Sequence, residues 1–356
     1  MTPASRYAAS RDDIAALARD VGEPAYRAGQ IWDALYQRAV PLHDATDLPR
    51  RLRTDLERAL PLSLEPVVAM ASRDGATTKW LWSCARDGAQ VETVLMRSPR
   101  RATVCVSSQA GCAMGCTFCA TGQAGFERHL DAGEIVEQVL RGAHASDARV
   151  SNVVYMGMGE PLANYDAVWD SVERLHNALS LSARRITIST VGVVPGMRRL
   201  AEERLPVTLA VSLHAPDDDL RSSLVPLNRR YPIGEVLDAA AAVAASKGRR
   251  VTFEYALIRG VNDAPQHADL LARLLSGAGL RGGAHVNVIP LNPTGGFTGR
   301  APVAATAQAF AARLDAGGVR ATIRRNRGVD IDAACGQLRA RALDRSEGAP
   351  SATMVR

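Results

Sequence analysis

Six cysteines, Cys84, Cys105, Cys112, Cys116, Cys119 and Cys335, are too few and too clustered to staple a chain of 356 residues. Three fall in one short segment, Gly111-Cys112-Ala113-Met114-Gly115-Cys116-Thr117-Phe118-Cys119, with C-x3-C-x2-C spacing. Their thiolates converge in one tight loop, which points to metal or redox chemistry. Structural zinc normally closes four ligands, and no paired Cys or His lies nearby except His129. A [4Fe–4S] cluster held by three cysteines leaves one iron open, able to chelate the amino and carboxylate groups of S-adenosylmethionine. The spacing favours that cluster over zinc or plain structural thiols.

A scaffold must hold such a loop. The first sixty residues read as helices at 12–21, 27–39 and 48–60, with Ile31, Trp32, Leu35 and Tyr36 on one face. Three segments follow at 64–71, 77–84 and 89–96, split by the hairpin signals Asp74-Gly75 and Asp87-Gly88. They predict a short antiparallel sheet linking the helices to the rest. Beyond Ser98-Pro99, β-branched runs at 102–106, 150–156, 185–189, 207–212, 250–257, 284–290 and 319–325 alternate with helical stretches at 134–143, 165–178, 234–245, 265–276 and 302–316. This alternation predicts an α/β fold, a closed or partial (β/α) barrel, with a doubly wound open sheet as the alternative. The division expected is a helical module at 1–62, an antiparallel extension at 63–97, a barrel at 98–343 and a flexible tail at 344–356.

Polar or glycine-rich residues follow successive strands: Gly157-Met158-Gly159-Glu160-Pro161, Ser189-Thr190-Val191-Gly192, Ser212-Leu213-His214-Ala215, Asn292-Pro293 and Arg327-Gly328. Barrel enzymes place their sites at these strand ends. One such segment is an ordinary turn; five at equivalent places are a site.

Composition narrows the class. At 47% hydrophobic and 22% charged residues the chain is globular, and it carries a net charge of +6 with Lys79 and Lys247 its only lysines. Arginine suits phosphate, while aromatic residues at 4% are too few for an extended stacking platform, so any grip on RNA should be electrostatic. No apolar run could span a bilayer and Met1–Arg6 holds no secretory block, so a cytoplasmic protein with no membrane partner is expected.

The cysteine loop resembles that of the radical S-adenosylmethionine enzymes. The likeness narrows to the RlmN family through Cys105–Cys112, Gly122–Phe126, Tyr155–Leu162, Ser212–Pro216, Glu254-Tyr255, Gly260–Asp263 and Asp330–Leu338. It implies a partial radical SAM barrel and methylation of adenine carbon 2 in 23S rRNA and, in some members, in tRNA. It also implies one [4Fe–4S] cluster on Cys112, Cys116 and Cys119, two S-adenosylmethionine molecules per turnover, and a low-potential electron donor such as flavodoxin or ferredoxin. Cys335 would carry the one-carbon unit, Cys105 would release it through a transient disulfide, and Glu92 would accept a proton.

By the same resemblance Gly159 and Glu160 meet the cofactor's amino group, Ser189, Ser212, Leu213 and His214 neighbour its ribose and carboxylate, and Asn292 lies on its adenine side. Without the match, Glu92 reads as an exposed strand carboxylate and Cys84 as a packed thiol. The family usually has Ser and Asp where this chain has Val191 and Val329. Rival readings are a related adenine C8 methyltransferase and a non-catalytic iron–sulfur RNA-binding protein. Arg27, Arg38, Arg50, Arg51 and Arg53 suggest that the N-terminal module docks RNA.

Overall fold

The computed structural model describes residues 5–280 and 282–324. Cys335, the Asp330–Leu338 motif, Val329 and the tail at 344–356 lie outside the described residues. Three short helices come first: α1 (Arg11–Asp20), α2 (Tyr26–Trp32), which runs into a π-helical turn (Asp33–Gln37), and α3 (Arg50–Ala59). A capping box starts α1, since Ser10 Oγ accepts from Asp13 N–H while the Asp13 carboxylate accepts from Ser10 N–H. Leu52 and Leu56 bury one face of α3, four residues apart as a helix requires.

Four strands follow without an intervening helix: β1 (Leu64–Ala71), β2 (Thr77–Cys84), β3 (Gln90–Ser98) and β4 (Arg101–Cys105). A small pair, β5 (Gln109–Gly111) and β6 (Phe126–His129), flanks the cysteine loop and its short helix α4 (Ala120–Gln123). Then come α5 (Ala132–His144), β7 (Val150–Tyr155), α6 (Tyr165–Asn177), β8 (Ile186–Thr190), α7 (Val194–Glu202), β9 (Thr208–Ser212), α8 (Asp218–Leu224) and α9 (Ile233–Lys247). The series ends with β10 (Val251–Leu257), α10 (Pro265–Gly277), β11 (Ala284–Pro290), α11 (Ala304–Ala316) and β12 (Arg320–Ile323).

The main sheet runs β1-β2-β3-β4-β7-β8-β9-β10-β11-β12, parallel from β4 onward. Its parallel order never reverses, so the crossovers share one hand and their helices cover one side. A doubly wound sheet would reverse. The strands therefore curl into a barrel that stays open among the described residues.

The antiparallel strands form the extension expected of them: a tight turn pairing Ser98 with Arg101 feeds β3 directly into β4. They extend the barrel sheet by three strands. Sequence reasoning missed β5 and β6, α7 and α8; the strands are three and four residues long, too short for alternation to declare itself.

Strand alternation gives the barrel two unlike faces. Tyr255 packs against Phe310 of α11, Tyr155 bonds Ser171 of α6, and Gly142 of α5 leaves room for Val104, so these residues face the helices. Their strand neighbours Glu254, Val154 and Cys105 consequently face the concave interior. A continuous apolar core fills the helix side and extends into α1–α3. Polar chemistry is left to the inside.

Candidate functional site

The cysteine loop leaves the barrel just beyond β4. Gly111 adopts φ +77°, and a Cβ there would sit 2.1 Å from the Gly125 carbonyl oxygen, which accepts from Cys112 N–H at 2.7 Å. Only glycine permits that approach. Cys112 and Cys116 are buried and Cys119 is half-buried. Leu224 and Val225 at the end of α8, Ile258 after β10 and Leu291 after β11 form an apolar wall around Cys116.

Burial pushes the Cys112 thiol up to about 12 and the Cys116 thiol up as well, and neighbouring cysteines raise both further. Buried thiols crowded in one loop suit a cationic centre that would hold them as thiolates. Among the described residues no three His, Cys, Asp or Glu side chains gather around a single metal-ion position. A cluster asks for something different, because each cysteine binds its own iron. The donor set fits. His129, the other candidate donor, bonds Gln109 through Nδ1 at 3.0 Å.

In the loop expected to meet the cofactor, Gly159 has φ +101° and a Cβ would strike Gln109 at 2.6 Å. Gln109 Oε1 accepts from Glu160 N–H at 2.8 Å, which binds this loop to β5. The buried Glu160 carboxylate accepts from Leu162 N–H at 3.0 Å and Val191 N–H at 2.8 Å. Burial pushes it up to about 7, against the pull of the Val191 amide, the Thr190 hydroxyl and the Leu162 amide. Val191 thus serves through its backbone, which valine supplies as well as serine.

Ser189 and Ser212 are half-buried at the ends of β8 and β9, and Leu213 is fully buried. His214 takes φ +64°, a left-handed conformation in a non-glycine residue. Its Nδ1 accepts from Ala256 N–H at 3.0 Å, which fixes the neutral ring with the proton on Nε2. Burial and then the Arg221 charge push the imidazole down to about 3. Asn292 is half-buried just past β11.

Sequence reasoning missed Arg221. Its guanidinium is buried and donates to the carbonyls of Leu213 (3.1 Å), Val191 (2.6 Å) and Ser212 (3.3 Å) and to Asn228 Oδ1 (2.7 Å). One side chain ties the loops after β8 and β9 together. Nothing in α8 marks it as different from the chain's other arginines. Ser107 was missed too: its hydroxyl donates to the Glu92 carbonyl at 2.6 Å and accepts from Met158 N–H at 3.0 Å, joining β3 to the Gly159 loop.

Glu92 corrects the expectation of an exposed strand carboxylate. Its side chain is 2% exposed and Oε2 lies 2.9 Å from Nζ of the fully buried Lys79. Trp82 Nε1 donates to Thr93 Oγ1, which bonds Gln138 of α5, so Trp82 and Thr93 face the helices. Lys79 and Glu92 therefore face inward. Register places Lys79 opposite Val94 and Val94 opposite Cys105, so the ion pair and the buried Cys105 share one stretch of the concave wall. Cys335 lies outside the described residues. Cys84 is a packed thiol, pushed up to about 12 by burial.

The arginines of the N-terminal module divide. Arg27 pairs with Glu23, Arg38 with Asp47, and Arg53 bonds the His43 carbonyl, whereas Arg50 and Arg51 are exposed at the start of α3, Arg51 making only a long 3.9 Å ion pair with Asp55. Among the described residues no helix is long and apolar enough to cross a membrane.

Residues 106–271 match the Radical SAM superfamily. A probable dual-specificity RNA methyltransferase RlmN from Parafrankia sp. (strain EAN1pec) is 52% identical over 358 residues, covering 95% of this chain and 92% of that protein. One of the same name from Nocardioides sp. (strain ATCC BAA-499 / JS614) is 50% identical over 343 residues, covering 92% of this chain and 91% of that protein. The crystal structure of a radical SAM methyltransferase from Sphaerobacter thermophilus matches with a TM-score of 0.87 at 50% identity, over 94% of this chain and 99% of that one. The superfamily implies S-adenosylmethionine and an iron–sulfur cluster, for which the thiols of the C-x3-C-x2-C loop are the fitting donors. With its fold, its cysteine loop and these relatives in agreement, the chain belongs to the RlmN family of radical SAM RNA methyltransferases.

Proposed function

We propose that the chain methylates carbon 2 of an adenine in 23S rRNA, and of an adenine in tRNA as well. The observation that carries the reading is that Cys105 and the ion-paired Glu92 lie on one stretch of the concave wall, next to the strand end from which the cysteine loop leaves. Carbon 2 is an electron-poor amidine carbon with no useful lone pair, so a simple methyl displacement fails there. A bound cluster with S-adenosylmethionine supplies one-electron chemistry capable of activating an inert methyl group.

Cys112, Cys116 and Cys119 would hold one [4Fe–4S] cluster. Gly159, Glu160, Ser189, Ser212, Leu213, His214 and Asn292 would seat the cofactor, used twice per turnover. His214 presents an Nε2–H donor at every physiological pH. Cys335 carries the one-carbon unit to the base. Cys105 then attacks the Cys335 sulfur to free the RNA, while Glu92 takes the proton that leaves carbon 2. The disulfide so formed needs thiol reduction, consistent with a cytoplasmic location, and flavodoxin or ferredoxin fits as the electron source. Residues 1–62 act as an RNA-docking module beside an antiparallel extension at 63–97 and a barrel at 98–343.

The test is anaerobic reconstitution with S-adenosylmethionine and protein-free ribosomal RNA or tRNA, read by mass spectrometry of the adenosines. The expected product is 2-methyladenosine. An 8-methyladenosine product would assign the rival regiochemistry, and methylation that survives Cys335→Ala would refute the carrier role.

A further inference from the structure

Glu254 has no part in the scheme above, yet it is the most conspicuous polar group on the concave wall. It sits in β10 with 4% of its surface exposed. Asn287 Nδ2 donates to Oε1 at 2.9 Å and holds the carboxylate in one orientation. Among the described residues Oε2 is buried without a hydrogen-bond partner, and its one ion pair, to Arg324 Nη1 at 3.9 Å, is too long for a hydrogen bond. A buried carboxylate oxygen left unsatisfied costs free energy comparable to a lost hydrogen bond, and a native site that tolerates it is set up for a donor that arrives later.

The surroundings identify the donor. Glu254 is in register with Ser212 on one side and Asn287 on the other. Its backbone carbonyl accepts from Leu213 N–H at 3.0 Å and His214 N–H at 3.3 Å. Side chain and backbone of one residue therefore serve the same stretch of the site as Ser212-Leu213-His214. A carboxylate fixed at one oxygen and open at the other suits neutral hydroxyl donors, and adenosine offers a vicinal pair on its ribose.

We propose that Glu254 is a binding residue whose Oε2 accepts a hydrogen bond from a ribose hydroxyl of an adenosine. S-adenosylmethionine and the target nucleotide share that chemistry; the contacts to Leu213 and His214 favour the cofactor. The inference rests on family membership, not on the carbon-2 assignment, and its test needs no turnover.

The experiment measures binding of S-adenosylmethionine and its 2′-deoxy and 3′-deoxy analogues to anaerobically reconstituted full-length protein by equilibrium dialysis. Removing a charge-assisted hydrogen bond should weaken binding about tenfold. One deoxy analogue should bind the unmodified protein about tenfold more weakly than the parent compound, and Glu254→Ala and Glu254→Gln should abolish that difference. Glu254→Asp keeps the charge and replaces the alanine variant if the latter does not fold. A parallel arm uses an RNA fragment with 2′-deoxyadenosine at the target position. Loss of discrimination there, with cofactor binding intact, would assign the hydroxyl to the RNA. If neither analogue nor deoxy-RNA binds differently from its parent, or if the differences persist in the Glu254 variants, the proposal is wrong.

Discussion

Lys79 is one of two lysines among 43 basic residues, and it is buried against Glu92. Burying both charges is justified only while each neutralises the other, so removing one should be worse than removing both. Lys79→Met should destabilise the fold by about 3–5 kcal/mol in urea unfolding. Adding Glu92→Gln should restore most of that loss yet leave RNA unreleased, as a covalent protein–RNA adduct visible on denaturing gels. A double variant with full methylation would show that the pair serves only the fold. His214 offers a second test. Its imidazole titrates near 3 in the fold and near 6.5 in the unfolded chain, so between these values the unfolded state binds the extra proton. Stability should therefore fall as pH drops from about 6.5 toward 3. His214→Asn tolerates the left-handed backbone and can still accept from Ala256 N–H. Its unfolding free energy should depend less steeply on pH, by at most about 1.4 kcal/mol per unit. Equal slopes for the two proteins would place the ring in water.

At the scale of elements, the site is a set of loops at strand ends, and Arg221 is what makes them one object. Replacing it with methionine strands the carbonyls of Val191, Ser212 and Leu213, each costing about 1–3 kcal/mol if left unsatisfied. Arg221→Met should unfold at clearly lower urea and lose S-adenosylmethionine binding, whereas Arg221→Lys, which keeps the charge but not the fork, should recover only part of either. Unchanged cofactor binding in the methionine variant would show that the loops hold themselves. What was readable in the sequence follows the same division. Local signals worked: the strands at 64–71, 77–84 and 284–290 lie where alternation and turns place them, and the cysteine loop follows β4 as its spacing requires. Long-range partners did not show. Glu92 looks exposed because nothing in Val91-Glu92-Thr93-Val94 reveals that Lys79 stands across the sheet, and Arg221 resembles any surface arginine until its three carbonyls converge on it. Glu254 was visible only as half of a motif, since having one oxygen bonded by Asn287 and the other without a hydrogen bond among the described residues is a property of the folded interior.

For the whole molecule, charge and shape must bring a polyanion to a concave site. The net charge of +6 is almost entirely arginine, yet many of those guanidinium groups are engaged in holding the fold, as Arg27, Arg38, Arg174 and Arg221 are. Arg50 and Arg51 are different. They occupy the first turn of α3, where no acidic residue stands and where the helix dipole disfavours positive charge by about 0.3–1 kcal/mol each. Arg51 reaches only Asp55, at 3.9 Å with its own side chain 95% exposed, and an exposed pair of that kind adds little to stability, which directs attention to a phosphate partner. Replacing both with glutamine should leave the melting temperature unchanged or slightly raised. RNA binding should weaken, and the slope of log affinity against log salt should become shallower by about 1–2, as expected for two lost phosphate contacts. The comparison should be made over a salt series, because a variant that merely misfolds loses affinity without this change in slope. If the slope stays the same while the protein remains folded, the RNA is gripped elsewhere and the N-terminal helices are scaffold alone.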